Sequence, residues 1–287
     1  MKKHVSNAIL LLIFLVGLSM LLYPSVADYI NKQNTSHAIA NYDAFISSAS
    51  EEQIEQILTE AEAYNQNLAA SQISFTDKTE IADYRNVLNP IGTGIMGYVD
   101  IPKINVELPI YHGTEEGVLQ IGVGHMEKTS LPVGGINSHA VLSGHRGLPS
   151  AKLFTDLDML AEGDTFLITV LNRVLTYRVD QIKTVLPSET EDMQIEHGKD
   201  YCTLVTCTPY GVNTHRLLVR GIRVEEEDEA AVTYVANEAM RLNRILTVSI
   251  GAVPLLVSLL ILLLQKGNRK RNERISNAKE ESDHETE

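Results

Sequence analysis

Two uncharged runs, one near each end, constrain this chain more than any other feature. The first is VSNAILLLIFLVGLSMLLY, Val5 to Tyr23, preceded by Lys2 and Lys3. The second is ILTVSIGAVPLLVSLLILLL, Ile245 to Leu264, followed by Lys266, Arg269, Lys270, Arg271 and Arg274. A helix needs roughly 20 apolar residues to cross a bilayer, and both runs supply them. Pro254 kinks the second run without forbidding it. Basic residues flank the outer end of each run, so the positive-inside rule sets both termini in the cytoplasm. Pro24 to Arg244 then lies on the far side of the membrane. Two rival readings stand beside this one. Ser25-Val26-Ala27 offers the small residues of a cleavage site, so the first run also reads as a signal peptide. The second run also reads as a buried core helix, against which the basic cluster after it argues.

Charge narrows the class of partner. The chain carries a net charge of −13, with basic residues at both ends, so the middle is more acidic still. That excludes nucleic acid as an expected partner. An extracytoplasmic location makes the two cysteines, Cys202 and Cys207, candidates for a disulfide. On an extended strand a separation of five residues spans about 16 Å, against the roughly 7 Å a disulfide allows. The odd separation also turns them to opposite faces. No disulfide is expected. Cys202 reads as a small core residue and Cys207 as a free thiol.

The middle of the chain begins helical. Ser50-Glu51-Glu52-Gln53 reads as a capping box, and Ile54, Ile57, Leu58, Ala61, Tyr64 and Leu68 follow at helical spacing. A polar connection runs near Ala70 to Arg85. From Met96 the pattern changes to short strands and turns. GYVDIPKINVELPIYHG alternates and carries two prolines that suit an edge strand or a bend. HAVLSGHRG, TFLITVLNRVLTYRVDQIKTVLP, YCTLVTCTP and THRLLVRGIRVEEE are further strand runs, with SAKLFTDLDMLAEGD a short helix or loop between them. Many short strands with few helices indicate a mainly β fold, a closed barrel or a sandwich.

Cys207 sits in TLVTCTPYGVNTHRLLVRG, with Arg216 nine residues on. A thiol ionises near 8.5 and an imidazole near 6.5, so at pH 7 a thiolate and an imidazolium coexist in only about 1% of unperturbed pairs. A catalytic cysteine therefore needs a histidine beside it. His145, in LSGHRGLPS, follows a strand and two small residues and is the candidate. His4, His37, His112, His125, His197 and His284 read as surface or turn residues, and His139 and His215 as structural. His215 is close enough to Arg216 to line a site. Arg216, after the Pro-Tyr-Gly turn, would lie on a strand antiparallel to that of Cys207. Its rigid fork of donors suits an oxygen that becomes negative during acyl transfer. The plainer reading of Arg216 is a surface ion pair in an acidic protein. Metal-ligand spacing of the Cys-x-x-Cys or His-x-x-x-His type is absent, as is a phosphate-binding glycine loop. No metal and no cofactor are expected.

TLVTC with its arginine nine residues on resembles the active-site strand of sortases. Together with LSGHRGLPSAKLFTDLDMLAEGD, GYVDIPKINVELPIYHG and VGHMEKTSLPVGG it resembles the pilus-building class C sortases, over about Gly94 to Val224. The resemblance implies an eight-stranded β-barrel with an N-terminal helical extension and two flanking transmembrane helices. It implies Cys207 as nucleophile, His145 as general acid and base, and Arg216 as the group that holds the substrate carbonyl. Thr206, Ser143 and His215 are candidate substrate-binding residues. The implied partners are pilin subunits bearing an LPXTG-like sorting signal and an acceptor lysine, together with the membrane. Class C enzymes carry a lid with an Asp-Pro-aromatic motif, and ASQISFTDKTEIADYR has no Asp-Pro. No residue is assigned to a lid, and weak autoinhibition is expected.

The expected divisions are a membrane segment at 1–23, a helical extension and connection at 24–93 and a barrel at 94–228. A juxtamembrane segment at 229–244, a second membrane helix at 245–264 and a charged cytoplasmic tail at 265–287 follow. Two other functions compete. A housekeeping sortase that attaches proteins to cell-wall peptidoglycan shares the three catalytic residue types. A tethered barrel that binds peptides without chemistry would tolerate loss of Cys207.

Overall fold

The computed structural model describes residues 2–71, 83–224 and 258. The chain divides into two compact units, 1–26 with 239–287, and 27–238. Among the described residues one helix is long and apolar enough to cross a membrane, the run Ile9–Ser48. The expected second span, apart from Ser258, lies outside the described residues, as does most of the expected lid connection.

Helix α1 (Lys2–Ser48) and helix α2 (Glu51–Ser71) meet at a short break. Thr35, Ile39 and Tyr42 recur at helical spacing and are buried. The Tyr42 hydroxyl donates to the Met96 carbonyl at 2.8 Å and accepts from the Leu171 amide at 2.7 Å. The break is set by the capping box read from the sequence. The Ser50 amide donates to Gln53 Oε1 at 3.0 Å, and the Gln53 amide donates to Ser50 Oγ at 3.2 Å. Such a cap is worth about 1 kcal/mol. Along α2, Ile54, Leu58, Ala61, Tyr64 and Leu68 are buried and Ile57 partly so. Asn65, on the same face, closes a two-bond pair with the backbone of Leu131, at 3.0 and 2.7 Å.

Eight strands follow: β1 (Ile95–Ile101), β2 (Val106–His112), β3 (Val123–His125), β4 (Ser138–Ser143), β5 (Thr165–Val170), β6 (Arg173–Val185), β7 (Asp200–Thr208) and β8 (His215–Arg223). A short helix, α3 (Glu116–Leu119), lies between β2 and β3. The strands close into a barrel in the order β1-β2-β3-β4-β7-β8-β6-β5, so no edge is left to pair with another chain. The β2–β3 and β4–β7 pairs are parallel and the rest antiparallel. The two prolines expected at an edge or bend occupy such places. Pro102 starts a single 3₁₀ turn. Pro109 pairs with Tyr98 on one side, and β3 begins pairing only at Ile110 on the other.

Alternation sets two apolar layers. Inward residues such as Cys202, Leu204, Leu217 and Val219 join the barrel core with Phe166 and Tyr177, which stack at 5.6 Å. Gly221 is required there, because a Cβ would stand 2.7 Å from the Phe166 ring. Outward residues Val141, Val205 and Leu218 form a second cluster with Met193, from the connection between β6 and β7. The barrel therefore carries an apolar patch on its outer wall, beneath that connection.

Candidate active site

Cys207 and Arg216 are direct partners across the antiparallel β7–β8 pair. Opposed residues of such a pair project to the same face. That face is the outer one, because Cys207 keeps the parity of Val205, whereas Cys202 and Leu204 point into the core. Cys202 is 0% exposed, and burial raises its thiol well above the ordinary range. Cys207 is half-buried, and both cysteines are free. One cysteine is thus inert packing and the other reaches the surface at a strand end.

The β4–β7 pair brings in His145. Its parallel register matches Ser138 with Asp200 and Ser143 with Val205. The ladder runs on, with the Gly144 amide donating to the Val205 carbonyl at 3.0 Å. Continuing the register by two residues past Ser143 sets His145 beside Cys207. The Thr206 hydroxyl donates to the Gly144 carbonyl at 2.8 Å, and the Phe154 amide to the His145 carbonyl at 3.0 Å. Both bonds fix the backbone that carries the imidazole. A side chain on Gly144 would meet Phe154 at 2.6 Å, which explains the small residue before the histidine.

Arg216 lines a cleft of about 90 Å³ together with Ser143, Val205, Met126, Met193 and Pro187. Its Nη1 donates to the carbonyls of His215 at 3.1 Å and Asn213 at 3.3 Å. Among the described residues Arg216 pairs with no carboxylate, unlike Arg146, Arg173 and Arg220. The plainer reading of Arg216 as a surface ion pair is therefore not realised.

The candidate substrate-binding residues separate. Ser143 lines the cleft with Arg216. Thr206 does not. It is 1% exposed and its hydroxyl is committed to Gly144, because an even-numbered position on β7 faces the core. His215 sits beyond the cleft, with Nδ1 at 2.9 Å from the Thr214 hydroxyl.

The other histidines correct one expectation. His112 and His125, read as surface or turn residues, are buried. The His112 ring bridges the carbonyls of Gly94 at 3.0 Å and Val87 at 2.8 Å. His125 Nε2 bonds the Ser130 carbonyl at 2.8 Å and Nδ1 meets the Tyr84 hydroxyl at 2.9 Å. Burial holds its imidazole down to about 4. His139, expected to be structural, is buried and bonded to Gln194 and Thr203 at 2.7 Å each. Among the described residues no group of three His, Cys, Asp or Glu converges as a metal site.

Sequence reasoning missed Met126, Met193 and Glu116. The two methionines wall the cleft from distant loops, and no local pattern marks them. Glu116 Oε2 lies 3.3 Å from His145 Nε2, across 29 residues of sequence.

Comparison with known proteins places this geometry. A sortase domain model matches residues 99–224. Sortase C1 from Streptococcus agalactiae is 51% identical, with a TM-score of 0.64 over 66% of this chain and 99% of its own. Sortase C of Streptococcus pneumoniae is 45% identical, with a TM-score of 0.60 over 66% and 97%. Clostridium perfringens sortase C, solved with the C-terminal cell wall sorting motif, is 44% identical, with a TM-score of 0.60 over 66% and 99%. The chain belongs to the sortase family. This sortase is accordingly a cysteine transpeptidase, and the eight-stranded barrel with its N-terminal helix is the fold it shares with these relatives.

Proposed function

We propose that this sortase polymerises pilins, with Cys207 as nucleophile, His145 as general acid and base, and Arg216 as the electrostatic clamp. The observation that carries the assignment is the direct pairing of Cys207 with Arg216, at the strand end that the β4–β7 register gives to His145. The Cys207 sulfur attacks the Thr–Gly carbonyl of an LPXTG-like sorting signal. Arg216 donates to the oxygen as it becomes negative, which is where a fixed charge lowers the barrier most. His145 passes a proton to the departing glycine amine, leaving a thioester. The amine of a lysine on the next pilin then attacks, loses its proton to His145 and expels the thiolate. An isopeptide bond replaces a peptide bond, so the thioester conserves the energy of the first bond.

Two relatives support the substrate class. The Streptococcus pneumoniae enzyme is described in terms of pilin substrate specificity, and the Clostridium perfringens enzyme was solved with a cell wall sorting motif. The cleft of about 90 Å³ beside Arg216 has room for one apolar side chain of such a peptide, with Val205 and the two methionines as its contacts. The apolar N-terminal helix supports a membrane-held enzyme. We place the barrel outside the cell and both termini in the cytoplasm, on the charge pattern flanking the two apolar runs.

Intact mass spectrometry of the full chain in detergent, incubated with an LPXTG-type peptide, tests this reading. A mass increase equal to the acyl fragment, absent in Cys207→Ala, is expected. Adding a peptide with a pilin-type lysine should then yield the branched product. A thioester resolved only by a wall-precursor amine would overturn the pilin assignment and leave the chemistry standing.

A further inference from the structure

The carboxylate of Glu116 is the acidic group found against the histidine of the site. Its Oε2 stands 3.3 Å from His145 Nε2, while Oε1 accepts from Gln120 Nε2 at 3.0 Å. The two contacts lower the pKa of the carboxyl, the Gln120 bond first and His145 second. The side chain of Glu116 is therefore an anion with both oxygens engaged.

The turn that presents Glu116 is fixed from behind. The Gly113 amide donates to the Tyr84 hydroxyl at 3.0 Å, and that hydroxyl also meets His125 on β3. Gly113 has φ +76°, and a Cβ there would collide with the Glu115 carboxyl. Arg85 pairs with Glu115, the residue before Glu116. Other charges near the imidazole are occupied elsewhere. Arg146 pairs with Asp158 at 2.5 Å, and Arg216 is held by carbonyls of its own turn. An imidazole has two ring nitrogens, and a partner on one decides which proton the other can exchange. With Nε2 on Glu116, Nδ1 is the nitrogen left for the sulfur.

We propose that Glu116 is the positioning residue of His145, holding Nε2 so that the opposite ring nitrogen faces Cys207. The proposal deepens the catalytic reading above and rests on it. A nucleophile, a base and a third group that orients the base is the general logic of such sites, and here the third group comes from the turn between β2 and β3. Glu116 touches neither substrate nor sulfur, so it acts only through the histidine.

Alkylation of Cys207 by iodoacetamide, followed across pH on the full chain in detergent, tests this without any substrate. Cys202 is fully buried and stays silent. Iodoacetamide reacts with the thiolate alone, so the profile rises in two steps, the first as the thiolate forms beside the protonated ring and the second as the ring gives up its proton. A carboxylate against the ring favours its protonated form, so in Glu116→Gln the second step moves to lower pH, and in Glu116→Asp it returns toward wild type. Peptide cleavage by Glu116→Gln falls about threefold to tenfold in kcat with KM little changed, as expected for an exposed charge acting through one hydrogen bond. A Glu116→Gln profile that superimposes on wild type, while His145→Ala rises in the single step of a lone thiol, overturns the positioning role and leaves the Cys207–His145 reading intact. A His145→Ala profile that also superimposes overturns both.

Discussion

The Thr206 hydroxyl donates to the Gly144 carbonyl at 2.8 Å, joining the end of β7 to the end of β4 one residue before Cys207 and one before His145. This buried bond sets the spacing of the two residues proposed to react. Thr206→Val keeps the shape and removes the donor, leaving the Gly144 carbonyl unpaired. A loss of about 1–2 kcal/mol is expected, seen as a few degrees in the thermal midpoint. The rate of acyl-enzyme formation should fall by more than stability alone explains, because the histidine backbone shifts. An unchanged rate with a lowered midpoint would confine Thr206 to folding.

Arg216→Lys separates charge from geometry. Lysine keeps the positive charge but lacks the fork that can reach a carbonyl while staying bonded to the His215 and Asn213 carbonyls. Loss of one preorganised donor to an oxyanion costs about 10²-fold or more in kcat. Peptide cleavage kinetics of Arg216→Lys should show that loss with KM changed little. A raised KM at constant kcat would instead make Arg216 a binding residue.

Much of the fold could be read from residue pattern because its determinants are local. The capping box at Ser50 and Gln53, the helical spacing from Ile54 to Leu68 and the turn between Cys207 and Arg216 each lie within one element or one hairpin. The choice between sandwich and barrel was not local. It depends on β1 pairing with β5 and on the parallel β4–β7 pair, contacts between segments far apart in sequence. The same limit explains the site. Cys207 and Arg216 share a hairpin, but Glu116, Met126 and Met193 reach it from three separate connections. Thr206 was misplaced on the substrate because parity, which turns it into the barrel, follows only once the facing layer is known. The burial of His112 and His125, expected as surface or turn residues, is hidden for a related reason. Their partners are the backbone carbonyls of Val87, Gly94 and Ser130 and the distant Tyr84 hydroxyl, none of which carries a local sequence signature.

Asn65 bonds both backbone groups of Leu131, and so fastens α2 to the segment between β3 and β4. Asn65→Ala would leave the buried Leu131 amide unpaired, while the Leu131 carbonyl keeps the Val133 amide at 2.8 Å. One buried unpaired donor costs about 1–3 kcal/mol, and a loss of that size is expected. Urea unfolding of the full chain in detergent measures it. A loss below about 1 kcal/mol would mean that water replaces the side chain without penalty, and that α2 packs on its apolar face alone.

His125 makes stability depend on acid. Burial holds its folded value at about 4, against 6.5 for an ordinary histidine. Above pH 6.5 the ring is neutral in both states and stability is complete. As pH falls from 6.5 to 4 the unfolded chain takes up a proton that the folded one refuses, so stability is lost across that window and the loss is complete near 4. The difference corresponds to about 3 kcal/mol. His139, also lowered by burial, adds a loss of the same sign. Urea midpoints measured from pH 7.5 to 4.5 should fall steadily in wild type. They should fall less steeply in His125→Gln, which keeps an amide donor for the Ser130 carbonyl and cannot titrate. Parallel slopes in the two proteins would show that other groups carry the acid sensitivity and that His125 is neutral in this balance.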